Sequence, residues 1–171
     1  KFHYGAKKSL GQHFLSSKHI VSAIVSTADV LASDTVLEVG PGKGVLTEAL
    51  LEKAGRVIAV EKDDRLIPLL EKKFSAEIAN GKLILVHEDI LSFDPARREL
   101  QNGNYKVVAN IPYYITGQLF RLFLESPVQP SQMVLLVQKE VAMRIAAKDK
   151  KESLLSVSVK IYGVPRYVKS V

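Results

Sequence analysis

The sequence predicts an α/β fold, with a mostly parallel, doubly wound sheet that is flanked by helices. Short apolar runs alternate along the chain with segments whose apolar residues recur at helical spacing. This alternation is typical of parallel strands joined by crossover helices, which cover both faces of the sheet. The first apolar run also leads into a glycine-rich turn and then a helical segment, which is where such folds bind ligands.

The individual elements follow from their apolar spacing and their flanking residues. Residues 17–31 place apolar side chains at helical spacing and predict the first helix. Residues 35–39 form a short apolar run between Asp34 and Gly40, which suits a buried first strand. Further strands are predicted at 57–60, 83–86, 105–109 and 133–137, and further helices at 45–53, 65–74, 116–124 and 139–147.

The last part of the chain has a less regular pattern. Residues 152–161 have helical spacing and predict a helix, but their β-branched valines leave a strand possible. Residues 167–171 predict a strand that the end of the chain interrupts.

The size and composition favour one domain over residues 1–171. A chain of 171 residues with 47% apolar residues can bury one substantial core. No apolar run is long enough to cross a membrane, and residues 1–8 lack the apolar stretch of a secretory signal. We expect a soluble and monomeric protein, and the bacterial cytoplasm is the simplest location.

Charge and residue usage narrow the function classes. The absence of cysteine excludes disulfides, thiolate zinc sites and cysteine nucleophiles. The four histidines have no paired helical spacing, so we expect no metal site. A net charge of +6 favours a polyanionic partner, because binding releases the counterions of its phosphates. On charge alone, a solvated basic surface is the alternative.

The glycine-rich turn after the first predicted strand indicates a nucleotide-like cofactor. In the sequence EVGPGKG at 38–44, the backbone can approach a ligand closely at Gly40, Gly42 and Gly44. Val45 stands where a dinucleotide-binding turn carries its third glycine, which disfavours NAD. The sequence has no G-x-x-x-x-G-K-[ST] motif, so a P-loop is excluded. A purely structural turn is the alternative.

Two carboxylates follow the next two predicted strands. Glu61 stands at the end of the second strand, where a carboxylate can accept hydrogen bonds from both ribose hydroxyls of a nucleoside. Asp89 follows the third strand and can accept a hydrogen bond from an adenine amino group, while the Ile90 backbone faces the ring edge. Asp89 could instead cap a turn or a helix.

The sequence NIPYY at 110–114 follows the fourth predicted strand and indicates amine methylation. The lone pair of an adenine amino nitrogen is delocalised into the ring, so its methylation requires geometry more than a strong base. If the Asn110 side-chain oxygen and the Pro112 carbonyl accept its two hydrogens, the lone pair is directed at a methyl donor. Tyr113 would stack on the extruded base. A proline turn with packed tyrosines is the structural alternative.

With these motifs, the chain resembles the KsgA family of small-subunit ribosomal RNA adenine N6,N6-dimethyltransferases over essentially its whole length. The segments KSLGQHFL at 8–15 and LVQKEVA at 136–142 look like further motifs of that family. The resemblance implies a Rossmann-like class I methyltransferase fold and S-adenosyl-L-methionine as the cofactor. It also implies ribosomal RNA in the immature small ribosomal subunit as the partner, with dimethylation of adjacent adenines.

The resemblance assigns roles that spacing alone does not reveal. It implies that Gln12, His13 and Leu15 lie near the methionine part and methyl group of the cofactor, in a basic amino-terminal segment at 1–16 that serves the cofactor or RNA. Many members have asparagine at the position of His13. The predicted cofactor-binding residues are Gln12, His13, Leu15, Gly40, Gly42, Glu61, Lys62, Asp89, Ile90 and Asn110, and the predicted catalytic residues are Asn110, Pro112 and Tyr113.

The chain departs from the family in its length. It ends at Val171, before a proline-rich motif that supplies another aromatic wall for the target base. The final sheet strand and the helical carboxyl-terminal domain of the family are also absent. We therefore expect cofactor binding to survive more readily than RNA methylation.

Three other functions stay open on the sequence. The macrolide-resistance enzymes, which methylate an adenine in large-subunit RNA, share the N-[LI]-P-Y core, but the segment 136–142 favours the small-subunit group. Amine methyltransferases that act on DNA or on protein glutamine are the second alternative. They usually carry proline at the position of Ile111, so the isoleucine favours the ribosomal RNA group by resemblance. A non-catalytic ribosome assembly factor is the third. The sequence does not identify which adenines are modified.

Overall fold

A computed structural model describes residues 15, 17–111, 113–146 and 153–171 of the chain. In this part the strands are β1 (Thr35–Val39), β2 (Arg56–Glu61), β3 (Leu83–His87), β4 (Lys106–Asn110) and β5 (Gln132–Leu136). The helices are α1 (Lys18–Thr27), α2 (Val45–Leu51), α3 (Ile67–Lys73), α4 (Ser75–Ala79), α5 (Thr116–Leu124), α6 (Lys139–Ala146) and α7 (Leu154–Tyr162). Short 3-10 helices occupy Ile90–Ser92, Pro95–Arg98 and Tyr113–Ile115. The five strands form one parallel sheet in the order β3-β2-β1-β4-β5.

The chain reverses its course across the sheet at β1. It proceeds outward from β1 to β3 and then returns to place β4 on the other side of β1. Such a reversal opens a crevice at the carboxyl ends of the central strands. Val39 pairs with both Val60 and Ala109, so the ends of β1, β2 and β4 lie level at one edge. Glu61 pairs with His87, which brings the end of β3 to the same edge.

Alternate strand residues pack on opposite faces of the sheet, which divides the core into two layers. On one face, Val36 and Val57 pack in a cluster with residues of α1, α2 and α3. On the other face, Leu37 and Ile58 pack in a cluster that includes Phe123 of α5. Phe123 is fully buried, and burial of such a side chain contributes about 1.5–3 kcal/mol. The two layers therefore hold the strand ends in fixed positions.

The predicted fold class is confirmed, and most elements form within a few residues of their expected bounds. The helix predicted at 65–74 differs, because α3 ends at Lys73 and α4 follows as a separate helix. The break falls at Phe74, which is buried in the core and has a non-helical φ of −115°. From residue 154 onward, the segment predicted at 152–161 forms α7, so the alternative of a strand there is wrong.

The prediction of a strand at 167–171 is wrong. A strand requires a neighbour about 4.8 Å away in the hydrogen-bonding direction. Residues 163–171 form no ladder with β5, and both instead line a cavity of about 900 Å³ together with α6. Residues 167–171 therefore pair with no strand of the described sheet.

Candidate active site

The glycine turn folds over the carboxyl end of β1. Gly40 and Gly42 have positive φ angles of 69° and 59°, which glycine adopts without the steric cost of a Cβ. The Gly40 N–H donates to the Val60 carbonyl at 2.9 Å, so the turn is anchored on the end of β2. Apart from Gly40 and its two chain neighbours, no heavy atom of the described residues lies within 4 Å of the position that a Cβ would take on Gly40. The turn therefore leaves open backbone at the strand ends.

Gly44 is also constrained by packing against the core. It precedes α2 with a φ of 75°, and a Cβ at this position would lie 2.5 Å from the Phe74 ring. The close approach that requires glycine here is therefore to Phe74. The expectation that a ligand approaches the backbone at Gly44 stays a prediction, because the Phe74 ring occupies only the side on which a Cβ would lie.

Glu61, the last residue of β2, is buried beside the glycine turn. Its Oε2 accepts a hydrogen bond from the Gly42 N–H at 3.0 Å, and its Oε1 accepts one from the Asp63 N–H at 2.8 Å. Burial raises the pKa of Glu61, although the hydrogen bonds from Asp63 and Gly42 oppose this shift. A carboxylate has about four acceptor positions, so about two stay available to a ligand. Glu61 can therefore hold the turn and accept further hydrogen bonds.

Asp89 lies beyond the end of β3, opposite Lys62 at the end of β2. The Lys62 Nζ and the Asp89 Oδ2 are 2.7 Å apart, and the Asp89 Oδ1 accepts a hydrogen bond from the Leu91 N–H at 3.0 Å. The carboxylate thus caps the 3-10 helix that contains the buried Ile90. Burial acts to raise the pKa of Asp89, but the hydrogen bonds from Lys62 and Leu91 outweigh it and lower the pKa. Asp89 therefore carries its charge at the mouth of the crevice.

Asn110 ends β4 at the same edge and is half-buried. It pairs with Leu136 of β5 in the parallel register, and the Ile111 N–H donates to the Leu136 carbonyl at 3.3 Å. The Tyr113 backbone begins the 3-10 helix that leads directly into α5. The ends of β1, β2, β3 and β4 therefore bring the glycine turn, the two carboxylates and Asn110 to one edge of the sheet.

The chain is similar to proteins of known class in sequence. The profile of the family described as Ribosomal RNA adenine dimethylase matches residues 4–171. The chain belongs to the ribosomal RNA adenine dimethylase family. The Ribosomal RNA small subunit methyltransferase A of Dehalococcoides mccartyi is 51% identical over 166 residues, which cover 97% of this chain and 56% of the relative. This dimethylase-family chain thus spans about half the length of the curated relatives that it matches.

Solved structures of related methyltransferases have the same fold. A dimethyladenosine transferase from Plasmodium falciparum is 32% identical with a TM-score of 0.75, and the match covers 87% of this chain and 52% of that chain. The 23S rRNA methyltransferase ErmE is 29% identical with a TM-score of 0.72, and the match covers 85% of this chain and 56% of that chain. The Rossmann-like class I methyltransferase fold of this dimethylase-family chain is therefore confirmed.

Some of the predicted site residues of the dimethylase-family chain lie outside the described residues. These are Gln12, His13 and Pro112, together with the side chain of Tyr113. Leu15 is described and half-buried, and it packs against the core face that carries α1 and α2. The roles expected for all five residues stay predictions.

Glu38 in β1 is a candidate site residue that the sequence analysis did not single out. Its side chain is 1% exposed, and among the described residues neither its carboxyl oxygens nor the Thr47 hydroxyl has a hydrogen-bond partner. Burial raises the pKa of Glu38 to about 8, and the charge of Glu61 adds to this shift. The neighbouring Thr47 hydroxyl opposes the shift, although the two groups lack full hydrogen-bond geometry. An acid within the otherwise apolar strand TVLEV was the available signal. A group that can hold a proton near neutral pH thus lies just before the glycine turn.

Asp63 and Arg65 form a second feature that the sequence analysis missed. The Arg65 Nε donates to the Asp63 Oδ1 at 2.8 Å, and its terminal nitrogen donates to the Oδ2. The Asp63 side chain is fully buried, and the Asp63 N–H is the group that donates to Glu61. This ion pair therefore fixes the loop that orients Glu61. Its D-x-R spacing alone is indistinguishable from an ordinary polar surface segment.

The described residues contain neither a cluster of metal ligands nor a helix that could cross a membrane. Within residues 15, 17–111, 113–146 and 153–171, no group of three or more histidine and acidic side chains is placed to hold a metal ion. No helix in those same ranges is both long enough and apolar enough to span a bilayer.

Proposed function

We propose that this chain is the catalytic part of an enzyme that transfers methyl groups from S-adenosylmethionine to the N6 amino groups of adenines in small-subunit ribosomal RNA. The observation that carries the proposal is the convergence of the glycine turn, Glu61, Asp89 and Asn110 at one sheet edge. Family membership and the name of the Dehalococcoides mccartyi relative support this substrate. A large-subunit target has weaker support, since the similar large-subunit enzyme is 29% identical.

The residues at this edge fit S-adenosylmethionine, which supplies a methyl group activated by its sulfonium charge when bound. Gly40 offers open backbone to the ligand. Glu61 has acceptor positions for the ribose hydroxyls, and Asp89 can accept a hydrogen bond from the adenine amino group beside Ile90. We expect Lys62 to act through Asp89, with which it forms an ion pair. Gln12, His13 and Leu15 complete the expected methionine end of the pocket.

The last residue of β4 and the segment that follows it orient the target amine in this proposal. The Asn110 side-chain oxygen and the Pro112 carbonyl each accept a hydrogen bond from one N–H of the adenine amino group. These two hydrogen bonds direct the nitrogen lone pair toward the methyl donor. Tyr113 stacks on the base and offsets part of the cost of its extrusion from the RNA. Since the amine loses its proton after transfer, the mechanism needs orientation and a dry pocket more than a strong base.

The partner in this proposal is the immature small ribosomal subunit in the cytoplasm. The net charge of +6 supports a polyanionic partner, because each phosphate contact releases condensed counterions. We expect the affinity for RNA to fall steeply as the salt concentration rises.

The proposal is tested by incubating the chain with labelled S-adenosylmethionine and three substrates in parallel. These are under-methylated small subunits, naked small-subunit RNA and large subunits. We expect N6,N6-dimethyladenine in small-subunit RNA, at adjacent adenines, and transfer about a hundredfold or more slower with the Asn110→Ala variant. Label confined to large subunits would refute the small-subunit target. Cofactor binding without transfer to any substrate would refute catalysis and favour an assembly factor.

A further inference from the structure

Lys62 and Asp89 form an ion pair across the ends of two neighbouring strands. Lys62 directly follows β2, and Asp89 lies two residues beyond β3. The Lys62 Nζ approaches the Asp89 Oδ2 to 2.7 Å, with side-chain exposures of 57% and 33%. The other carboxylate oxygen accepts a hydrogen bond from the Leu91 N–H at 3.0 Å. Two independent donors therefore fix the rotation of one carboxylate.

Lys62 forms an ion pair with Asp89, whereas the two neighbouring carboxylates, Glu88 and Glu61, have other partners. Glu88 is paired with Arg98 at 3.1 Å, and the Glu61 oxygens accept hydrogen bonds from backbone N–H groups. An ionised carboxylate can only accept hydrogen bonds, whereas a protonated one can also donate. A fixed, ionised Asp89 therefore favours a ligand that presents a donor, such as an amino group, over one that presents a carbonyl oxygen.

We propose that Lys62 is a positioning residue that sets the base specificity of the cofactor pocket, by holding the Asp89 carboxylate as an acceptor for the 6-amino group of adenine. This inference rests on the proposed function, because it concerns the same cofactor. Lys62 itself need not contact the base. Its ammonium group acts through Asp89, with Leu91 as the second anchor of the carboxylate.

The test compares S-adenosylhomocysteine with S-inosylhomocysteine, in which a 6-oxo group replaces the 6-amino group. Calorimetry on the 171-residue chain measures both dissociation constants for wild type and Lys62→Met, which keeps the length of the side chain and removes its charge. For Lys62→Met we expect affinity for the amino ligand to fall about tenfold and affinity for the oxo ligand to change less than about twofold. Lys62→Arg should restore most of the discrimination, because it restores a cationic donor. Lys72→Met, at an exposed lysine in the last turn of α3, is the matched control and should bind both ligands like the wild type.

Two outcomes would overturn the inference while the proposed function stands. One is an equal loss of affinity for both ligands in Lys62→Met, which a merely structural role would cause. The other is wild-type discrimination in that variant. A wild-type chain that binds neither ligand would overturn the proposed function and this inference with it. Thermal unfolding of each variant checks that the fold is retained.

Discussion

Replacement of Glu38 by glutamine should remove a pH-dependent loss of stability. The Glu38 carboxyl is buried in β1, and burial raises its pKa from 4.5 to about 8. Between these values the folded chain keeps the proton while the unfolded chain releases it. The unfolded state is therefore favoured as the pH rises, and stability falls across this window. Glutamine has nearly the same shape and cannot ionise, so Glu38→Gln should lack this fall.

The size of the effect follows from the two pKa values. Each pH unit between 4.5 and 8 should lower the free energy of unfolding by about 1.4 kcal/mol. The whole window corresponds to about 5 kcal/mol, a large part of the 5–15 kcal/mol that is typical of a domain. Below pH 4.5 the carboxyl is neutral in both states, so wild type and Glu38→Gln should differ there by about 1 kcal/mol or less.

The assay is chemical denaturation of the cofactor-free chain at intervals from pH 4.5 to 8.5. The quantity of interest is the difference in free energy of unfolding between Glu38→Gln and the wild type, because titrating groups that do not interact with Glu38 cancel in it. Glu52→Gln, at an exposed carboxylate next to the end of α2, is the matched control and should show a flat difference. A flat difference for Glu38→Gln as well would refute the argument that burial holds the proton on Glu38.

Three further predictions concern the glycine turn and the proposed active site. Asn110→Ala should lower the rate of methyl transfer by about two or more orders of magnitude with little change in cofactor affinity, because the amide acts on the transition state. Equal losses in the single-turnover rate and in the calorimetric affinity for the cofactor would contradict this role. Glu61→Ala should weaken cofactor binding by about 1–3 kcal/mol, since the ribose hydroxyls lose their acceptor. Unchanged cofactor affinity in calorimetry would exclude this role of Glu61. Gly44→Ala should destabilise the fold by about 1–3 kcal/mol more than Gly81→Ala. Both glycines have a positive φ, but only at Gly44 would a Cβ meet the Phe74 ring. Equal denaturation midpoints for the two variants would count against that contact.

The sequence predicts the sheet and most helices because each element carries its own signal. Strands such as β1 and β2 are short apolar runs with flanking turn residues, and α5 has apolar residues at helical spacing. The failure at 167–171 has a different origin, since a strand also needs a partner edge and no local pattern contains one. The break at Phe74 likewise depends on a tertiary contact, because the ring packs beneath Gly44.

The candidate site likewise contains residues that the sequence predicts and contacts that only the folded chain reveals. Gly40, Glu61 and Asn110 are predictable because each lies at the carboxyl end of a strand, and the ends of parallel strands meet at one edge. The ion pair of Lys62 with Asp89 joins residues 27 positions apart, so only the β2–β3 register brings them together. The burial of Glu38 is also a tertiary property, although an acid in an apolar strand hints at it.

The reversal of the chain at β1 separates the proposed donor and acceptor functions into consecutive stretches of sequence. Every described residue proposed to hold the nucleoside part of the donor lies between β1 and the turn after β3, whereas the groups proposed to orient the target amine begin at Asn110, the last residue of β4. Substitutions at and after Asn110 are therefore expected to alter the groups around the target amine while the described nucleoside contacts stay in place.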